Sequence, residues 1–257
     1  MSRFIHIAMT AALALSVPAV ASAAETIHAY GPGGPMPAMK EAAAAFGTAH
    51  GITVDVTAGP TPTWIERVKT DADVIFSGSK TMMTDFIGVL GDKVDTTTVR
   101  PLYLRPAAIL VRPGNPGHIT GIKDLMKPGR HVLVVNGAGQ NGLWEDIVGR
   151  TGDIGAVRAF RSNVGTYAAN SALARQAWTT DTSLDAWVIW TIWQVSNPTL
   201  ADQVAIEPEY QVHRDTGVAL TKKGAQSSDA KAFAAYLESP DAARIFAKWG
   251  WIVPATH

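Results

Sequence analysis

The sequence has no cysteine among its 257 residues. That excludes a disulfide framework, thiolate metal sites, cysteine nucleophiles and a lipidated cysteine, and it leaves apolar burial to hold the fold together. Net charge is missing as well, because 22 Lys and Arg balance 22 Asp and Glu. Without a basic excess there is no electrostatic footprint for nucleic acid or for an anionic membrane surface. No apolar run beyond the N-terminal segment is long enough to be a transmembrane helix. The seven histidines are scattered, with no His-x-x-x-His spacing, so no metal centre is read. No cofactor is expected.

What is present begins with residues 1–24, MSRFIHIAMTAALALSVPAVASAA. Arg3 gives a positive n-region, Ile7 to Val20 an apolar h-region, and Ala21-Ser22-Ala23 a small-x-small cleavage site. The reading is a secretory signal over 1–23 and a mature protein exported to the periplasm. Removing Arg3 with the signal leaves 21 basic side chains against 22 acidic ones. A mature chain of about 230 residues makes one large domain or two small lobes.

Strands and helices alternate along this chain, which implies a parallel sheet covered on both faces. Strands are expected near Glu25–Tyr30, Ile52–Thr57 and Asp73–Phe76, with helices after Pro35, over Pro62–Lys69 and up to Leu90. Leu102–Val111 reads as a long extended run that ends in the turn cluster Arg112-Pro113-Gly114-Asn115-Pro116. The alternation then restarts, with Val132–Val135 and Asp185–Trp190 as strands. Gly217–Thr221 is a possible return crossing, and helices over Ser228–Leu237 and Pro240–Trp249 close the chain. Two crossings divide the mature chain into one lobe of 24–112 plus 215–257 and a second lobe of 113–214.

Several loops in this pattern suit a small anion. Gly31-Pro32-Gly33-Gly34-Pro35 stands between a strand and a helix start, where free N–H groups attract negative charge. It lacks the Gly-x-Gly-x-x-Gly spacing of a dinucleotide turn. Ser77-Gly78-Ser79 stands at the carboxyl end of a strand, the end that faces the crevice in open α/β sheets. The same loop reads equally well as a helix N-cap. Thr61 can donate a hydroxyl and Trp64 can wall the pocket or join the core. Asn136, Gly137, Ala138, Gly139 and Gln140 form the second lobe's counterpart loop, with neutral amide donors. Asn170, Ser171 and Arg175 share a helix start. Ser171 is a candidate cap, and the Arg175 fork suits carboxylate or phosphate. Asp185 would orient Arg175 or meet a ligand hydroxyl, or else serve the fold alone. Replacing Arg175 is expected to remove most anion binding.

Taken in order, these motifs resemble the AcfC (accessory colonization factor) group of periplasmic solute-binding proteins. That group is related to the sulfate- and molybdate-binding proteins of ABC transporters. The resemblance rests on Tyr30–Pro35, Gly59-Pro60-Thr61 with Trp64, Ala72–Ser79, Pro101-Leu102-Tyr103 and Gly137–Gly139 with Gly142-x-Trp144-Glu145-Asp146. It continues through Asn170-Ser171 with Arg175, Asp185-Ala186-Trp187 and Lys248–Trp251, and so spans nearly all of the mature chain. It implies a type II periplasmic binding fold, with two α/β lobes joined by two crossover strands and a ligand cleft between them. It implies a receptor that captures a sulfate- or molybdate-like oxyanion, a small carboxylate or a phosphorylated organic acid. An ABC permease is the expected partner, and a homodimer is compatible with the sequence. One feature departs from the organic-anion members of the group: only Gln140 and Asn141 separate the glycine turn from Gly142. An adhesin that uses the fold as a scaffold is the alternative from the interaction class. A hydrolase is disfavoured, because Ser77 and Ser79 lack the flanking glycines of Gly-x-Ser-x-Gly.

Overall fold

A computed structural model describes residues 26–254 of the protein, so the expected signal at 1–23 lies outside the described residues. The chain opens with β1 (Ile27–Gly31), α1 (Met36–His50), β2 (Val54–Ala58), α2 (Ile65–Asp71), β3 (Val74–Ser77) and α3 (Lys80–Leu90). The long β4 (Arg100–Val111) follows. Then come β5 (Val132–Val135), α4 (Leu143–Gly149), α5 (Ile154–Asn163), β6 (Val164–Ala168), α6 (Ser171–Thr180), β7 (Ala186–Trp190), the short α7 (Ile192–Val195) and β8 (Asp202–Val204). The chain ends with β9 (His213–Leu220), α8 (Ser228–Tyr236) and α9 (Pro240–Lys248).

Helix starts follow local chemistry. Ser79, Asp153, Asn170, Ser227 and Ser239 each accept a backbone N–H at the head of α3, α5, α6, α8 and α9. Pro35 precedes α1 and Pro240 opens α9, where a missing N–H costs nothing.

Strand pairing defines two sheets that share β4. In one, β1 runs parallel to β2 and β3, and β3 pairs antiparallel with β9. In the other, β5 runs parallel to β6 and β7. Within β4, Arg100–Pro106 pairs with β9, whereas Ala107–Val111 pairs with β7. The partner changes at Pro106, whose ring nitrogen cannot donate to a ladder. The hydrogen-bonded path therefore runs unbroken from β2 to β6, with β4 as its link. Together these features make a type II periplasmic binding fold.

Period-two alternation sets the layers. Ala29, Val74 and Phe76 face the main core, which also holds α1, α8 and α9, while Tyr30 and Ile75 face a second cluster with Trp64, Met82 and Phe86. In β5 and β7 every residue is buried, as expected of strands covered on both faces. Trp178, Trp187 and Trp190 are fully buried there. Each side chain of this kind stabilises the fold by about 1.5–3 kcal/mol or more through removal of apolar surface from water.

Candidate functional site

The carboxyl ends of six strands converge on one cavity of about 110 Å³. The loop after β1 supplies Pro32, Gly33 and Gly34, and the loop after β2 supplies Gly59, Pro60 and Thr61. Beyond β3 come Gly78 and Met82, beyond β5 Ala138 and Gln140, beyond β6 Asn170, Ser171 and Ala172, and beyond β7 Trp193. Arg105, from the middle of β4, completes the lining. Ala138 holds a positive φ of 47°, a left-handed conformation that disfavours any residue with a Cβ. Strained backbone of this kind persists where the surroundings impose it, often at ligand sites.

Arg105 dominates the electrostatics. Its side chain is 4 % exposed, and its guanidinium lies 4.0 Å from the centre of the Trp190 ring. Nε and Nη2 are buried and have no hydrogen-bond partner among the described residues. Burial pushes its pKa down to about 9, Arg214 beside it pushes in the same direction, and Asp215 opposes them. The group is still charged at neutral pH. A buried cation without a partner is costly. A bound anion would offset that cost.

Arg214, directly opposite Arg105 in the β4–β9 ladder, is already engaged. It donates to the carbonyl oxygens of Gly139 (3.0 Å) and Asn141 (3.2 Å) and to Asp146 Oδ2 (2.8 Å). The Ser79 hydroxyl also donates to the Gly139 carbonyl, at 3.4 Å. Both contacts tie the loop after β5 to the other sheet.

The residues singled out in the sequence divide into two sets. Gly33, Gly34, Thr61, Gly78, Ala138, Gln140, Asn170 and Ser171 line the cavity together. Ser79 and Gly139 touch each other just behind it. Others serve the fold. Trp64 is buried against Tyr30 and Phe86, and its Nε1 donates to Gly59 O at 3.2 Å, so it anchors a lining loop from behind. Ser77 is fully buried, with its carbonyl accepting from the Thr216 hydroxyl. Asn136 is exposed, and Gly137 packs so tightly on Ala169 that a Cβ would sit 2.3 Å from its carbonyl oxygen. Asp185 accepts from the His131 backbone N–H at 2.8 Å and thereby closes a strand end. Asn170, not Ser171, caps α6, through Oδ1 and the Leu173 N–H at 2.9 Å.

Arg175 lies exposed on α6, away from the cavity lining. Four residues after Ser171 it shares that residue's helix face but not its depth. Arg175→Ala is therefore expected to leave anion binding within about twofold of wild type, the usual range for an exposed substitution. Titration calorimetry of the two proteins with the same anion checks this.

The charged group that sequence reasoning missed is Arg105. Its signal was a lone cation inside the apolar run Leu102–Val111, since arginine is rarely buried without a partner. Gly137, Gly139 and Gly142 also have Gly-x-Gly-x-x-Gly spacing between β5 and α4. A dinucleotide turn would need an acidic residue after the next strand. That position holds Ala168-Ala169-Asn170.

Comparisons with known proteins agree with the fold. The family model for bacterial extracellular solute-binding proteins matches residues 27–252. A crystal structure of L-phospholactate-bound PEB3, a Campylobacter jejuni protein, is 37% identical with a TM-score of 0.84, covering 89% of this chain and 100% of that one. The sulfate-binding protein SubI of Mycobacterium tuberculosis is 16% identical with a TM-score of 0.73, covering 88% of this chain and 86% of its own. For the periplasmic molybdate-binding protein of Azotobacter vinelandii the values are 15% and 0.67, covering 89% and 100%. These last two show the fold alone. No curated protein sequence matches the chain. The matched family and these neighbours are solute-binding proteins, not enzymes. The chain thus belongs to the family of bacterial extracellular solute-binding proteins.

Proposed function

We propose that this protein is a periplasmic receptor that captures a small anion and delivers it to an ABC permease. The observation that carries the reading is Arg105, a buried guanidinium with two unpartnered nitrogens on the wall of a cavity built from loops of both sheets. The anion is a small carboxylate, a phosphorylated organic acid or a sulfate- or molybdate-like oxyanion. The 37% identical PEB3 binds L-phospholactate, which supports the organic end of that range. The proposed contacts are Arg105, the backbone amides at Gly33, Gly34, Gly78 and Ala138, and the side chains of Thr61, Gln140, Asn170 and Ser171. Export follows from cleavage of segment 1–23. The proposed lobes are 24–112 with 215–257, and 113–214, a division supported by the change of partner within β4. Binding loops come from both, so capture requires hinge closure around the ligand.

The test is a thermal-shift screen with sulfate, phosphate, molybdate, citrate and phosphorylated three-carbon acids, followed by solution scattering. A ligand present at 1,000 times its Kd stabilises by about 4 kcal/mol. For a chain of this size that raises Tm by roughly 8–16 °C. The same anion should make the protein more compact. If none of these anions shifts Tm or the scattering profile, the receptor reading fails and the scaffold reading replaces it.

A further inference from the structure

Gln140 carries a feature that anion capture alone does not explain. The side chain is 4 % exposed and lines the cavity that holds Arg105. Its Nε2 donates to the Ser171 Oγ at 2.7 Å, which fixes the amide. The carbonyl atom Oε1 is buried and has no donor among the described residues. Neighbouring acceptors are already engaged. Asn170 Oδ1 takes the Leu173 N–H, and the Gly139 carbonyl takes Arg214 and Ser79. Two residues that line one cavity thus carry unsatisfied buried polar atoms, donors on Arg105 and a neutral acceptor on Gln140.

An anion made only of acceptors would satisfy the first and leave the second unpaired. A buried carbonyl without a donor costs about 1–3 kcal/mol. An anion that also carries a hydroxyl satisfies both. Because the glutamine is neutral, its oxygen takes that proton without the repulsion a carboxylate would exert on the ligand.

We propose that Gln140 is a specificity residue that accepts a hydrogen bond from an O–H of the bound anion, so that the site selects hydroxy acids or hydrogen phosphate over equally sized anions without a hydroxyl. This rests on the receptor reading above and concerns the chemistry of its ligand.

The test uses two pairs of probes, lactate against propionate and phosphate against sulfate, with binding measured by calorimetry at pH 6. Wild type is expected to favour the hydroxyl-bearing member of each pair by about 5- to 140-fold, the ratio that 1–3 kcal/mol gives at 1.4 kcal/mol per decade. In Gln140→Met the ratio should fall to near one. Equal affinities in the wild type overturn the proposal and leave the receptor reading intact. So does a preference for sulfate, which would mean that the amide donates into the cavity. If no member of either pair binds, the proposal falls, and if the screen above finds no anion either, the receptor reading falls with it. The wild-type ratios decide the matter even if the methionine variant does not fold.

Discussion

Replacing Arg105 with methionine is expected to stabilise the protein and to abolish anion binding in the same step. The guanidinium is buried, unpartnered at two nitrogens and close to a second arginine, and its pKa is driven down to about 9. Holding an ion in such a place costs several kcal/mol even after the surroundings relax. Its stacking on Trp190 at 4.0 Å returns about 2 kcal/mol when desolvated, and a methionine sulfur against the same ring keeps part of that. The net gain for the anion-free protein is about 1–3 kcal/mol, or roughly 2–12 °C in Tm for a chain of this length. Binding is expected to move the opposite way, by about 2–5 kcal/mol, because Arg105 is the only buried cation lining the cavity among the described residues. The pH dependence carries a check. A base whose folded pKa lies below its unfolded value destabilises the fold below the folded pKa and less so above it. The advantage of the variant should therefore hold from pH 6 to 8 and shrink as pH rises past about 9. Denaturant melts of both proteins, with and without ligand, measure all of this. A variant that is less stable than wild type without anion would show that Arg105 is a structural ion.

Much of the architecture was legible because its signals are local. Val132–Val135 and Ala186–Trp190 are short, wholly apolar and bounded by turn residues, and both are strands with every residue buried. Ser79 and Ser239 precede apolar periodicity, and both cap helices. The prolines of β4 marked its irregular points. The register shifts between Pro101 and Tyr103, and the partner changes at Pro106. By contrast, the apolar residues of Ile154–Ala168 fall on exposed as well as buried positions, so they do not announce α5 and β6. Ile154 and Tyr167 are exposed, and β6 lies at the sheet edge with one neighbour only. Tertiary packing on β5 supplies what its own sequence does not.

Cavity-lining residues were legible where they sit on loops at strand ends, because topology alone sends those loops to one crevice. Gly33, Gly34, Gly78, Ala138 and Ser171 are of this kind. Depth was not legible. Arg175 and Arg105 are both single cations next to apolar residues in the sequence. Which of them is buried depends on β4 crossing between the sheets, a long-range fact. Trp64 and Ser77 show the complementary case. A residue one turn or one position away from a lining loop points into the core beneath it, and its work is to hold the loop.

Gly31→Ala is the substitution expected to do the most damage to fold and site together. Glycine there looks like a residue chosen for ligand access, since it opens the loop Pro32-Gly33-Gly34. The structure gives a different reason. A Cβ on Gly31 would lie 2.3 and 2.4 Å from the ring carbons of Phe76 and 2.5 Å from its carbonyl oxygen. Phe76 is itself fully buried in β3, so neither the ring nor the backbone has room to retreat. The extra methyl must separate β1 from β3, which pair in parallel one residue earlier at Tyr30 and Ile75. Overpacking of this kind costs about 3 kcal/mol or more, at the upper end of its usual range. For a chain of this length that lowers Tm by roughly 6–12 °C. The same displacement moves Gly33 and Gly34 relative to Gly78, and all three line the cavity. Anion affinity should therefore fall even below the melting point, where the protein is still folded. Gly51→Ala gives the contrast. Gly51 has a φ of 68° but open space around its Cβ position, so the strain is conformational and remote from the site. That variant should lose about 1 kcal/mol of stability, the ordinary penalty for a left-handed alanine, and keep full affinity. If Gly31→Ala melts like wild type and binds anion equally well, the packing of β1 on β3 is looser than the structure shows, and the glycine's role is at the ligand after all.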